Sequence, residues 1–180
     1  MREAPYISGK LYNLEQVKEI NKTIKENFIE GEDNYARGAE KTSKVKFVSF
    51  GNIQRFMGPF VDFCYTSNIN YFGFDLHPIT SQKRLNYNIY SKGTEYNWHI
   101  DAVSKHPVRD IKLTALLNLS EESYEGGELQ LFKTLVIACK EFNEPGSAII
   151  FPAFTNHKVK QIISGTRHSL AIWMSGPKFR

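Results

Sequence analysis

Cysteine is scarce in this chain: Cys64 and Cys139 are the only two among 180 residues. They stand in apolar surroundings without C-x-x-C or zinc-like spacing, which excludes a disulfide-stapled scaffold and a cysteine zinc site. Buried free thiols are expected, and with them a reducing, cytoplasmic setting. No stretch approaches the roughly 18 apolar residues of a membrane span, and the opening from Met1 to Tyr6 lacks the apolar run of a signal peptide. Charge of one sign is also missing, with 23 Lys and Arg against 19 Asp and Glu for a net +4. The basic residues are scattered, with no long basic groove or stacked-aromatic pattern, which disfavours nucleic acid as a partner. No internal repeat or low-complexity segment is present. What remains is 41% hydrophobic and 13% aromatic, the composition of one globular domain over residues 1–180 with a core of its own.

Leu14, Val17, Ile20, Ile24 and Phe28 recur at helical steps behind an Asn13/Gln16 capping-box signal, which predicts an amphipathic helix over 14–29. Residues 30–44 are polar and Gly-containing and read as an exposed connection bordering the active site. A strand is expected at Val45 to Phe50 and a helix around Pro59 to Cys64, with proline in its first turn. The pattern then turns to short β-branched or aromatic segments between turn residues: Tyr71 to Leu76, Arg84 to Tyr90, Glu95 to Asp101, Ile111 to Leu119, Glu128 to Phe132, Ser147 to Phe151, His157 to Ile163 and Arg167 to Met174. This is the rhythm of a β-barrel or jelly roll with a helical flank.

Against that background His99-Ile100-Asp101 stands out, with His157 far downstream and Arg167 ten residues further. Two imidazoles and one carboxylate are the ligand set that holds non-haem Fe(II) by three corners and leaves other positions open. Residues i and i+2 of a strand point to one face, so His99 and Asp101 can converge on one ion, with Asn97 beside them. Tyr96, Trp98 and Ile100 would form an apolar opposite face, with Tyr96 mainly structural. In the last strands His157, Val159 and Gln161 share a face, as do Arg167, Ser169, Ala171 and Trp173. A guanidinium there can take a carboxylate by two parallel hydrogen bonds.

The order Tyr90-x-x-Gly93-x-x-Tyr96-x-x-His99-x-Asp101, then Gly126-Gly127-Glu128-Leu129, Pro145-Gly146-Ser147, His157 and Gly165-x-Arg167-x-Ser169 resembles the 2-oxoglutarate/Fe(II) dioxygenases of the prolyl 4-hydroxylase-like branch. The matching motifs run over about residues 84 to 176, and the first 80 residues match only loosely. The resemblance implies a mainly β fold, a double-stranded β-helix of jelly-roll or cupin type with flanking N-terminal helices. It implies His99, Asp101 and His157 as Fe(II) ligands. Arg167 would grip the distal carboxylate of 2-oxoglutarate, with Tyr90 and Ser169 adding contacts. Dioxygen is then the second co-substrate, succinate a product, and ascorbate a carried-over requirement. The expected reaction is hydroxylation of a C–H bond in a protein or peptide. Ending at Arg180, soon after the Arg167 strand, the chain is expected to lack the C-terminal helical region that longer relatives use for dimer contacts, hence a monomer.

Other readings stand beside this one. The same fold hosts oxygenases of free amino acids, small metabolites and nucleobases. A non-catalytic metal-bearing module that binds a partner would have no need of an intact triad plus Arg167. A halogenase would lack Asp101, and a zinc hydrolase would have no use for the arginine. His77, His106 and His168 read as structural or surface imidazoles, with His168 on the opposite strand face from Arg167. Gly126 and Gly127 read as a tight turn, Trp98 and Trp173 as wall. Ala102 to Asp110, with Lys105, His106, Pro107 and Arg109, is a candidate substrate loop.

Overall fold

The computed structural model describes residues 4–29, 34–35, 41–102 and 106–179. Within them the chain opens with β1 (Ile7–Lys10), α1 (Leu14–Glu26), β2 (Asn34–Tyr35), β3 (Lys44–Ser49), α2 (Phe50–Ile53) and α3 (Gly58–Ser67). The strands β4 (Arg84–Tyr90), β5 (Tyr96–His99), β6 (Arg109–Asn118), β7 (Glu125–Gly126) and β8 (Leu129–Phe132) follow. They are succeeded by β9 (Val136–Ala138), β10 (Ser147–Pro152), β11 (Asn156–Val159), β12 (Ile162–Ser164) and β13 (Arg167–Pro177).

Side-chain alternation fixes the layering. On β13, Leu170, Ile172 and Met174 point one way and join Leu113, Ala115 and Leu117 of β6, and Leu85 and Tyr87 of β4, in a cluster with Val17, Ile20 and Ile24 of α1 and Phe60 and Cys64 of α3. The alternate residues, Tyr90, Leu116, Ile149, Phe151 and Ala171, pack instead against Leu129, Leu131 and Val159. Both faces of the central strands are therefore covered, and β6 is buried without a break from Lys112 to Asn118. The major sheet has the order β1-β10-β6-β13-β4-β3-β2, the minor sheet β5-β11-β8-β9, and β7 pairs with β12; every pairing is antiparallel. Helices cover one side of the major sheet and the minor sheet faces the other. This is a double-stranded β-helix with flanking helices, and the space between its sheets holds the site. Among the described residues no helix is long and apolar enough to cross a membrane.

The Asn13/Gln16 capping box forms with both bonds at 2.9 Å. The helix stops at Glu26 rather than residue 29, because the Asn27 amide returns to Ile24 and its side chain donates to Thr23 O, while Phe28 bridges to Val48. Phe50 opens a helical turn instead of closing β3. The strand expected at Tyr71 to Leu76 is absent: Asn68–Phe72 form a π-helical turn closed by Gly73 at φ 70°. The single strand expected over His157 to Ile163 is two, broken at Lys160 and Gln161 as pairing passes from β8 to β7. Much of the 30–44 connection, and Lys105 of the candidate substrate loop, lie outside the described residues.

Candidate active site

β11 lies between β5 and β8, and its register places His157 directly opposite His99. Two positions on, Val159 pairs with Tyr96, so Asn97 and Trp98 together face Lys158. That extra residue is a β-bulge, and it resets the alternation. Tyr96 consequently shares the face of His99, stacked on it with ring centroids 3.4 Å apart and 13° between planes, while Asn97 is exposed. The expectation that Tyr96 packs on the far face and Asn97 on the near one is corrected by this bulge.

Asp101 is placed by the turn after β5, where its amide donates to Ala153 O at 2.9 Å. Its Oδ1 lies 3.8 Å from His99 Nε2 and its Oδ2 3.5 Å from His157 Nε2. One donor atom from each of the three residues falls within 4.8 Å of the others. Both imidazoles turn Nδ1 to a backbone carbonyl, His99 to Asn97 O at 2.6 Å and His157 to Thr155 O at 2.9 Å. A carbonyl only accepts, so the proton sits on Nδ1 and the Nε2 lone pairs face the cluster, the tautomer a metal requires. Thr114 Oγ1 of β6 donates to Asp101 Oδ2 at 2.7 Å and orients the carboxylate. Burial, with His157 next in weight, pushes the His99 pKa down to about 4, so the ring is neutral and ready to ligate at neutral pH.

Arg167 begins β13 directly opposite Tyr90 of β4. It is 1% exposed, and among the described residues none of its Nε, Nη1 and Nη2 atoms has a hydrogen-bond partner. The guanidinium rests between the rings of Tyr90 and Phe142, at 5.1 and 5.3 Å. Burial raises the Tyr90 pKa, with Arg167 pulling the other way. Space for the arginine stem depends on the turn before β8: Gly126 and Gly127 both have positive φ, and a Cβ on Gly127 would stand 3.1 Å from Arg167 Cδ. Ser169, 2% exposed, lines the same cleft, as does Trp173.

The cleft thus gathers all six residues singled out from sequence: Tyr90, His99, Asp101, His157, Arg167 and Ser169. It also contains Lys41 and Tyr96, and Thr114 stands behind Asp101. Thr114 had a signal, a hydroxyl on the inward phase of an apolar strand; Lys41 had none. His168 lies on the helical side of the sheet, stacked on Tyr87. The donor set fits a divalent metal of intermediate softness with open positions, and the orphaned buried guanidinium fits a carboxylate beside it.

A jelly roll that gathers two imidazoles and a carboxylate in front of a buried, unpaired arginine has the build of a keto-acid-dependent non-haem iron oxygenase. The model of the 2OG-Fe(II) oxygenase superfamily matches residues 85–175, and the chain belongs to that superfamily. It is 37% identical over 86 residues to a PKHD-type hydroxylase of Synechococcus sp. (strain CC9605), and 35% identical over 92 residues to one of Shewanella baltica (strain OS185). These alignments cover 47% and 49% of this chain but only 38% and 41% of the relatives, so the chain spans well under half of their length. In fold it is similar to a prolyl-4-hydroxylase of Pseudomonas putida, with TM-score 0.71, 16% identity, and 99% and 94% of the two chains covered. A viral collagen prolyl hydroxylase from Paramecium Bursaria Chlorella virus-1 gives 0.70 at 17% identity, with 97% of each chain covered.

Proposed function

We propose that this chain is an Fe(II)- and 2-oxoglutarate-dependent hydroxylase of prolyl 4-hydroxylase type that oxidises a C–H bond of a protein or peptide, all within one domain over residues 1–180. The observation that carries the reading is Arg167: an unpaired guanidinium buried in the same cleft as His99, Asp101 and His157. An unpaired buried charge costs several kcal/mol, so its retention points to an anionic ligand that completes it. The matched superfamily supplies the chemistry, oxidative decarboxylation of 2-oxoglutarate to succinate with dioxygen at a ferrous centre.

In this scheme His99, Asp101 and His157 hold the metal through Nε2, a carboxylate oxygen and Nε2. Thr114 fixes the carboxylate, and the Asn97 and Thr155 carbonyls fix the imidazoles. Arg167 receives the distal carboxylate of the keto acid, flanked by Tyr90 and Ser169. Leu116, Leu129, Val159 and Ala171 keep the surroundings apolar and water-poor, which strengthens every charged contact inside. Ascorbate serves as reductant, and two free buried thiols support a reducing, cytoplasmic setting.

The test is succinate formation from 2-oxoglutarate with Fe(II), ascorbate and dioxygen, compared with an Asp101→Ala protein. Equal succinate from both would sink the reading. Mass spectrometry of candidate peptides against free amino acids and nucleobases then identifies which gains one oxygen.

A further inference from the structure

Lys41 enters the cleft from the segment before β3. Its backbone meets Tyr96 in an isolated antiparallel bridge, and its Nζ donates to Asn88 Oδ1 at 2.9 Å. The ammonium lies 4.8 Å from the centre of the Tyr96 ring, the ring stacked on His99. Among the described residues it forms no ion pair. An amide oxygen and a π face hold a cation in place but do not neutralise it. Burial pulls its pKa down to about 8 despite the opposing attraction of Asp101, so at neutral pH it remains mainly charged.

Its position relative to Arg167 gives the charge a meaning. In the β4–β13 ladder Tyr90 is opposite Arg167 and Asn88 is opposite Ser169. The anchor of Lys41 is therefore two ladder positions from Arg167, roughly 7 Å. Both cations line the cleft that holds His99, Asp101 and His157, and the backbone spacing of their two positions is on the scale of a short dicarboxylic acid.

We propose that Lys41 is a second cation of the co-substrate subsite, steadying the metal-proximal end of a keto diacid whose far carboxylate is taken by Arg167. The inference rests on the functional reading above. It has a consequence that a purely structural lysine would lack. A divalent ion at His99, Asp101 and His157 is repelled by Lys41, whereas a dianion is attracted, so the lysine disfavours the metal alone and favours the keto acid. Removing the charge should shift the two affinities in opposite directions.

The experiment compares wild type with Lys41→Met and Lys41→Arg under anaerobic conditions. Mn(II) binding without keto acid is measured by titration calorimetry. 2-Oxoglutarate binding to the Fe(II)-loaded protein is followed by its metal-to-ligand charge-transfer absorbance. Lys41→Met should weaken 2-oxoglutarate by about tenfold or more, the loss of one charge-assisted contact, while Mn(II) binds as tightly or more tightly. Lys41→Arg should keep most of the affinity. Lys41→Gln replaces the methionine variant should that one fail to fold. Unchanged 2-oxoglutarate affinity in Lys41→Met overturns the proposal and leaves the lysine to the primary substrate. Parallel weakening of metal and keto acid overturns it in favour of a packing role. A wild-type protein that binds metal but no 2-oxoglutarate sinks the functional reading itself.

Discussion

Tyr96 lies nearly parallel to His99 at 3.4 Å between ring centroids because the bulge at Asn97 and Trp98 brings both side chains to one face of β5. The stack and the Asn97 carbonyl together hold the imidazole plane. Tyr96→Leu should lower Mn(II) affinity about tenfold, the lower end of what orienting contacts contribute, while Tyr96→Phe keeps it. Metal titration with both variants checks this; equal loss in the two would assign the role to the phenol hydroxyl instead.

Thr114 is the one hydroxyl that β6 sends to the His99, Asp101 and His157 cluster, at 2.7 Å from Asp101 Oδ2. Thr114→Val preserves shape and removes the donor. Metal affinity should fall about 10- to 100-fold. An unchanged dissociation constant would show that the Ala153 turn alone orients the carboxylate.

Arg167 should show function and stability in opposition. Arg167→Met removes a buried charge with no hydrogen-bond partner among the described residues, so the ligand-free protein should be as stable as wild type or more so, by up to about 1–4 kcal/mol. The same change should abolish 2-oxoglutarate binding and leave Mn(II) binding in place. Arg167→Lys should not restore the keto acid, because a point charge cannot reproduce the planar fork. Chemical denaturation and ligand titration on the same samples decide the matter.

Gly127 has φ +64°, and an added Cβ would overlap Ile162 Cδ1 and crowd the Arg167 stem. Gly127→Ala should cost about 1–2 kcal/mol for the left-handed backbone alone. It should also weaken 2-oxoglutarate more than Mn(II), since the strain is transmitted to the arginine. Equal effects on both ligands would contradict that route.

Acid should destabilise the metal-free protein through His99. Its folded pKa is pushed below the ordinary value of about 6.5, so the unfolded chain binds the extra proton first. Stability contributed by the neutral ring is present above about 6.5 and is lost as pH falls toward about 4. Thermal melts across this window should fall for wild type and fall less for His99→Gln. Identical slopes would remove His99 from the account.

The two-residue period of β13 and β6 made the inward face legible, and with it the placement of Arg167 and Ser169. The His99-x-Asp101 spacing made those two legible as neighbours on one ion, whereas His157, 58 positions from His99, joins them only through the resemblance carried by the motif order. Alternation alone puts Tyr96 on the wrong face, because a bulge leaves no mark on the sequence: it is created by pairing with β11, which lies elsewhere in the chain. Tyr71 to Leu76 read as strand because aromatic enrichment is shared by strands and irregular helical turns. β1 and β9 have four and three residues, lengths at which periodicity carries little information. Lys41 lies in a polar stretch without a motif, and pairing with β5, through its bridge to Tyr96 and the Thr42–Glu95 bonds, delivers it to the cleft.

The two thiols have a bearing on durability. Burial pushes the Cys139 pKa up to about 12 and that of Cys64 higher still, and both side chains are almost fully enclosed. Oxidants attack the accessible thiolate, and neither sulfur offers one. Under the proposed function a ferrous centre meeting dioxygen would generate oxidants close by, and both sulfhydryls are protonated and out of their reach.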